Sequence, residues 1–103
     1  MTDALRLPSQ ADIDAARANI AGIARRTPLW RLDADVPGTA IYLKLENLQP
    51  LGSFKIRAAV NAMKAADPIE LRRGVLAPSA GNFGLGIAWS ARNMGVPVTI
   101  VAP

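Results

Sequence analysis

Few side chains in this sequence can do covalent or acid-base chemistry. It contains no histidine and no cysteine, which excludes imidazole bases, thiolate nucleophiles, disulfides and most zinc sites. Lysine, aspartate, glutamate and tyrosine remain, and among them Lys55 stands apart by position. It lies in Pro50-Leu51-Gly52-Ser53-Phe54-Lys55-Ile56-Arg57. There Pro50 and Gly52 interrupt what precedes, Ser53 can cap the next element, and Ile56, Ala59, Val60 and Met63 recur at helical spacing. The pattern predicts Lys55 in the first turn of a helix. Helix N-termini carry partial positive charge, so an ammonium is disfavoured there and the neutral, nucleophilic amine is favoured. A neutral amine can form a Schiff base with a carbonyl. The plain alternative is a surface lysine, the commonest state of that residue. Lys64 falls half a turn away in helical phase and faces oppositely, and Lys44 lies on the polar face of a strand, so only Lys55 is both helix-initial and flanked by loop.

A second stretch, Pro78-Ser79-Ala80-Gly81-Asn82-Phe83-Gly84-Leu85-Gly86, reads as a turn from a strand into a helix. Its glycines would let backbone N–H groups approach an anion, while Ser79 and Asn82 offer side-chain hydrogen bonds. The order G-x-x-G-x-G is not the dinucleotide G-x-G-x-x-G, and no Lys-Ser/Thr pair follows Gly86, so this is no phosphate-binding P-loop. Taken alone, glycines that merely permit a tight strand-to-helix turn explain it too.

The elements around these stretches follow from periodicity and punctuation. Ser9-Gln10-Ala11-Asp12 resembles a capping box with Asp in place of Glu, and Ile13, Ala16, Ile20 and Ile23 follow on one helical face, predicting a helix to about Ala24. Arg25-Arg26 suits its C-terminus, and Thr27-Pro28 forces the chain extended before Leu29, Trp30 and Leu32. Trp30 is read as core rather than as a ligand platform. After a turn over Asp35 to Thr39, Ile41, Leu43 and Leu45 alternate with Tyr42, Lys44 and Glu46, which predicts a half-buried strand with Lys44 solvated. The Lys55 helix should end near Ala66, before Asp67-Pro68, and a helical turn over Ile69 to Arg73 should close at Gly74. Val75-Leu76-Ala77 reads as a buried parallel strand, the next helix ends at Gly95, and Val98 to Ala102 is a second strand. Strand, glycine-rich turn, helix and strand make a right-handed parallel crossover, in which ligands bind beyond the carboxyl ends of the strands.

Composition narrows the class. With 103 residues, half of them apolar, the chain can form one small domain with a core and is too short for two. The net charge of +4 is scattered over Arg25, Arg26, Arg31, Arg72 and Arg73 with few aromatics between, which argues against nucleic acid and suits a small anionic ligand. No apolar run approaches the roughly 20 residues of a membrane span. Met1 to Gln10 lacks the apolar core of a signal peptide, and the absence of cysteine fits a reducing compartment, so the expected location is cytoplasmic.

Together, Ser53-Phe54-Lys55-Ile56-Arg57 and Ser79-Ala80-Gly81-Asn82 resemble the fold-type II pyridoxal-phosphate enzymes, closest to the threonine/serine dehydratase and serine racemase branch. Thr27-Pro28-Leu29 and Tyr42-Leu43-Lys44-Leu45-Glu46-Asn47 look like that branch too, so the similarity covers most of Arg26 to Pro103. The resemblance implies an α/β fold of the tryptophan synthase β type, with the parallel β-α-β unit belonging to the N-terminal part. It implies pyridoxal 5′-phosphate as cofactor, held by Lys55 as a Schiff base. Phe54 and Asn82 would be cofactor-binding, Asn82 through the pyridine 3-hydroxyl, and Ser79, Ala80, Gly81 and Asn82 would line the pocket for the substrate carboxylate.

Departures sort the branches. Threonine synthase and cysteine synthase relatives usually carry aspartate right after the lysine, where this chain has Ile56. Similar racemases carry a serine as acid on the second cofactor face, where Ala80 stands here, and a methyl group delivers no proton. The resemblance therefore implies elimination of water and ammonia from a β-hydroxy amino acid, with an amino-acid racemase or a non-catalytic remnant as alternatives. Phe83 replaces a histidine frequent in dehydratases. Family members are much longer, and their phosphate-gripping loop would lie beyond Pro103. Residues 1–103 are accordingly expected to be an N-terminal segment, inactive alone, of an enzyme that forms a homo-oligomer when full length.

Overall fold

The structure, a computed structural model, describes residues 5–103; the first four residues of the Met1–Gln10 stretch lie outside it. Helix α1 spans Gln10–Ile20 and opens on the capping box that the sequence predicts: Asp12 N–H donates to Ser9 Oγ, and Ser9 N–H donates back to the Asp12 carboxylate. The helix ends at Ile20 rather than Ala24. Ala21 leaves helical geometry at ψ 136° and Gly22 follows at φ +76°, a left-handed stop that glycine adopts without steric cost. No residue of α1 is buried.

Strands β1 (Leu29–Arg31) and β2 (Tyr42–Lys44) pair antiparallel, with Trp30 opposite Leu43. All six residues of the two strands are exposed, so the core placement of Trp30, which is 63% exposed, is corrected; of the inward face expected along β2, Ile41 and Leu45 at its ends are half-buried and Leu43 is exposed. The alternation along β2 is real, but among the described residues no layer packs against either face of this ribbon. Two short 3-10 turns, Glu46–Leu48 and Pro50–Gly52, then lead into helix α2 (Lys55–Ala65). Its buried positions are Ile56, Ala59, Val60 and Met63, the stripe that the spacing predicts. After α2, Asp67 accepts from Ile69 N–H and caps α3 (Pro68–Leu71), with Pro68 at the first helical position. Proline suits that position because it has no N–H to leave unpaired.

Strand β3 (Val75–Pro78), helix α4 (Asn82–Met94) and strand β4 (Val98–Val101) form the parallel unit, with Val75 opposite Val98 and Pro78 opposite Val101. Gly95, at φ +67°, ends α4 where the sequence predicts. The core gathers Ala59 and Met63 of α2, Ile87 and Ala91 of α4, Leu71 and Ala77, with Val75, Val98 and Ile100 packed against it. Leu76 is 69% exposed, so β3 is buried on one face only. Period-2 geometry turns Val75 and Ala77 toward the helices and Leu76 away.

Candidate active site

Six candidate residues come from the starts of two adjacent helices. Lys55 is the first residue of α2, Phe54 precedes it, and Ser53 Oγ accepts the Lys55 N–H at 3.3 Å. Ser79, Ala80 and Gly81 form the turn after β3, and Asn82 is the first residue of α4. The two helices run parallel. At one end a Cβ on Gly86 would meet Ala59 Cβ at 2.8 Å and the Lys55 carbonyl at 3.5 Å. Further along, Val60 and Lys64 share one small hollow with Trp89 and Asn93. Both N-termini therefore open at the same end, beyond the carboxyl end of β3.

Lys55 is half-buried, and its Nζ lies 5.4 Å from the Phe54 ring centroid and 5.8 Å from that of Phe83. Two aromatic faces within about 6 Å hold a cation by quadrupole attraction. Phe83, the residue that departs from the dehydratase pattern, is thus brought directly to the lysine. Lys44 lies on the ribbon instead, exposed, and its Nζ donates to the Thr27 carbonyl, so it is tethered rather than freely solvated. Lys64 is exposed on another face of α2.

The glycine-rich stretch differs from its expected form. Helix α4 begins at Asn82, so Gly84 and Gly86 lie within the helix and are buried. A Cβ at Gly84 would come within 2.9 Å of Ser79 Cβ and 3.0 Å of Ile100 Cγ2, and one at Gly86 would strike Ala59. These two glycines serve close packing of α4 on the sheet and on α2, rather than approach to an anion. Ser79 Oγ accepts N–H groups of Gly84 at 2.9 Å and Gly81 at 3.3 Å, so its hydroxyl caps the start of α4. Ala80, Gly81 and Asn82 are exposed and form the open rim.

A polar network centred on Glu46 is one that sequence reasoning missed. The Glu46 carboxylate accepts from Arg57 Nε at 2.8 Å and Nη2 at 2.9 Å, from Thr27 Oγ1 at 2.6 Å and from Gln49 Nε2 at 3.1 Å. Gln49 also donates to the Arg25 carbonyl at 2.7 Å and accepts the Arg25 N–H at 2.8 Å. Thr27 and Gln49 are each only 4% exposed. The Arg57 fork, above all, draws Glu46 down to about 2, against desolvation that pushes it up, and Glu46 in turn raises Arg57. Thr27, Glu46 and Arg57 all stand in the stretches carrying the family resemblance. Their contact across the fold had no local signature, and a buried Gln49 in a loop had none at all.

Among the described residues no group of His, Cys, Asp and Glu could hold a metal ion, and Lys55 takes part in no ion pair. A hollow of about 610 Å³ opens elsewhere, between the end of α1 and the Arg25, Arg26 and Arg57 side chains. Lys55 does not line it. What the two helix starts present is a primary amine near two aromatic rings, beside an exposed rim of Ala80, Gly81 and Asn82 that carries no charge, and such an amine can form a Schiff base with a carbonyl.

Comparison with known proteins bears on that geometry. Residues 20–103 match the family of pyridoxal-phosphate dependent enzymes, and the chain belongs to it. It is 42% identical over 102 residues to an L-threo-3-hydroxyaspartate ammonia-lyase from a Pseudomonas species, covering 96% of this chain and 32% of that protein. It is 45% identical over 94 residues to an L-threonine ammonia-lyase from Thermotoga maritima, covering 89% of this chain and 23% of that one. A solved serine racemase from Dictyostelium discoideum superposes with a TM-score of 0.81 at 35% identity, over 90% of this chain and 31% of its own. The chain thus spans about a third or less of the relatives it matches. The fold is that of the fold-type II pyridoxal-phosphate enzymes, and the dehydratase and racemase resemblance read from the motifs holds. Pyridoxal phosphate is the cofactor of that family, and a primary amine such as that of Lys55 is a group with which its aldehyde can bond.

Proposed function

We propose that residues 1–103 are the lysine-bearing N-terminal segment of an enzyme that eliminates water and ammonia from a β-hydroxy amino acid. The observation that carries the proposal is Lys55 at the first position of α2, its Nζ 5.4 and 5.8 Å from the ring centroids of Phe54 and of Phe83 in the first turn of α4. Bound pyridoxal phosphate supplies the electron sink that makes the substrate α-proton removable. Lys55 would hold the cofactor covalently through Nζ, and its amine, when free, would be the base placed to take that α-proton. Asn82 would bond the ring hydroxyl, and the turn Ser79-Ala80-Gly81 would receive the substrate carboxylate at the positive end of α4. The β-hydroxyl would take up one proton and leave as water, and hydrolysis of the remaining imine would consume one water and yield a 2-oxo acid and ammonia. The ammonia-lyase relatives act, by their names, on amino acids carrying a 3-hydroxyl, which supports that substrate class.

Ala80 favours elimination over inversion, since it offers no proton to the second face. On the same reading the full-length enzyme is a cytoplasmic homo-oligomer acting on a small amino acid, with the phosphate site supplied by chain outside this segment. Borohydride reduction of the full-length protein with cofactor, followed by peptide mapping, tests the assignment. The label is expected on Lys55; label on Lys44 or Lys64 with Lys55 unmodified overturns it.

A further inference from the structure

We infer that Glu46 and Arg57, with Thr27 and Gln49, are positioning residues that set where Lys55 presents its amine. The inference rests on the reading of Lys55 as the cofactor lysine.

The backbone leading into Lys55 does not hold its own shape. Leu51 and Gly52 are both left-handed, at φ +67° and +73°, and for leucine that region costs energy which surrounding contacts must offset. The contacts are the polar network. Just before this turn, Gln49 is fixed by three hydrogen bonds to Arg25 and Glu46. Just after Lys55, Arg57 forks onto the same Glu46 carboxylate and donates to the Arg25 carbonyl at 3.0 Å. One carboxylate therefore grips the chain on both sides of Lys55, and Thr27 orients that carboxylate from a third segment.

The hydrogen bonds and ion pair of these four run among themselves and to Arg25 and Lys44, and none involves the Lys55 amine. Arg57 projects about 200° around the helix axis from Lys55, so it acts through the backbone. Stability alone is a poor explanation for the arrangement. A partly buried ion pair is often no better for folding than apolar residues of equal volume, whereas a planar fork on a carboxylate fixes direction. Direction matters because a misplacement of about 1 Å at a reacting group can cost about 10²-fold in rate.

The test uses the full-length protein loaded with pyridoxal phosphate. Arg57→Lys keeps the charge and loses the fork, and Glu46→Gln keeps the shape and loses the charge. Thr27→Val, a milder change, decides the matter if the first two do not fold. The expected result is a fall in kcat of about 10²-fold with KM nearly unchanged, beside slower reductive trapping of cofactor on Lys55 and an altered visible absorbance of the bound cofactor, in variants whose circular dichroism remains that of the parent. Parent-like trapping, absorbance and kcat overturn the inference and leave the Lys55 assignment standing. Losses that merely track the folded fraction overturn it as well, because they assign the network to stability. If the parent itself is not trapped at Lys55, the assignment of that lysine fails, and this inference with it.

Discussion

At Ala80 a methyl group stands exposed in the turn between β3 and α4, with nothing to ionise. A positioned acid-base group is worth roughly 10² to 10⁴ in rate, so its absence should suppress reprotonation from that face and leave proton removal by Lys55 intact. Ala80→Ser in the full-length enzyme is expected to raise serine racemisation without abolishing 2-oxo acid release, read by chiral analysis of residual serine. A parent enzyme that already inverts serine as fast as it deaminates it would show that another residue delivers the proton. Glu46 allows a second prediction at this scale. Its folded value, about 2, lies below the 4.5 of an unperturbed glutamate. Its contribution to stability is therefore complete above about pH 4.5 and is lost as pH falls toward 2. Urea midpoints of the full-length protein should drop across that window, and less steeply in Glu46→Gln. The exposed Arg6–Asp12 pair, which holds Asp12 well below the usual carboxylate range, is present in both proteins, so the difference between the two curves isolates Glu46.

Among the elements, the α2–α4 contact decides how closely the two helix starts approach. Gly86 lets α4 rest on Ala59 and on the Lys55 backbone, and an added Cβ at 2.8 Å from Ala59 Cβ forces the helices apart. The Ala59 Cβ sits on the α2 backbone and cannot swing away, so Gly86→Ala is expected to destabilise by about 1–3 kcal/mol despite alanine's better helix propensity. Gly81→Ala provides the contrast: nothing lies within 4 Å of its Cβ, and its φ of −162° is ordinary extended backbone. Urea denaturation of both variants should show a clear loss for the first and little change for the second. Equal losses would mean that the α2–α4 spacing is not the constraint inferred here.

For the whole molecule, the radius of gyration is 16.7 Å, against about 13 Å for a compact chain of this length. Leu29, Trp30, Phe54, Leu76 and Val101 are all more than half exposed. A molecule this open buries little of what a cofactor needs, and an anion held only at helix starts lacks an enclosed, multi-donor site. The 103-residue chain alone is therefore expected to bind pyridoxal phosphate weakly and to release no ammonia from serine or threonine. Absorbance titration and an ammonia assay check both halves, and measurable turnover by the isolated chain would contradict the division of labour proposed here.

Elements whose signals are local were legible in the amino-acid sequence. The Ser9 capping box, the Ile56-Ala59-Val60-Met63 stripe, the Asp67-Pro68 break and the Gly95 stop each depend on neighbours within a turn or two, and each occurs where expected. Lys55 was legible for the same reason, as the residue at which loop chemistry gives way to helical periodicity. The family was legible because two separated motifs agree. Tertiary structure alone decided the rest. Whether the alternation along β2 and the Trp30 ring find a partner layer depends on what packs against them, which periodicity does not encode. Whether Gly84 and Gly86 face a ligand or a neighbouring helix depends on the approach of α4 to β4 and α2, and the close contacts place them in packing. The grip of Glu46 on both sides of Lys55 joins residues 27, 46, 49 and 57. Hydrogen bonds between segments far apart in the chain leave no period to read, and they exist only once folding has brought the segments together.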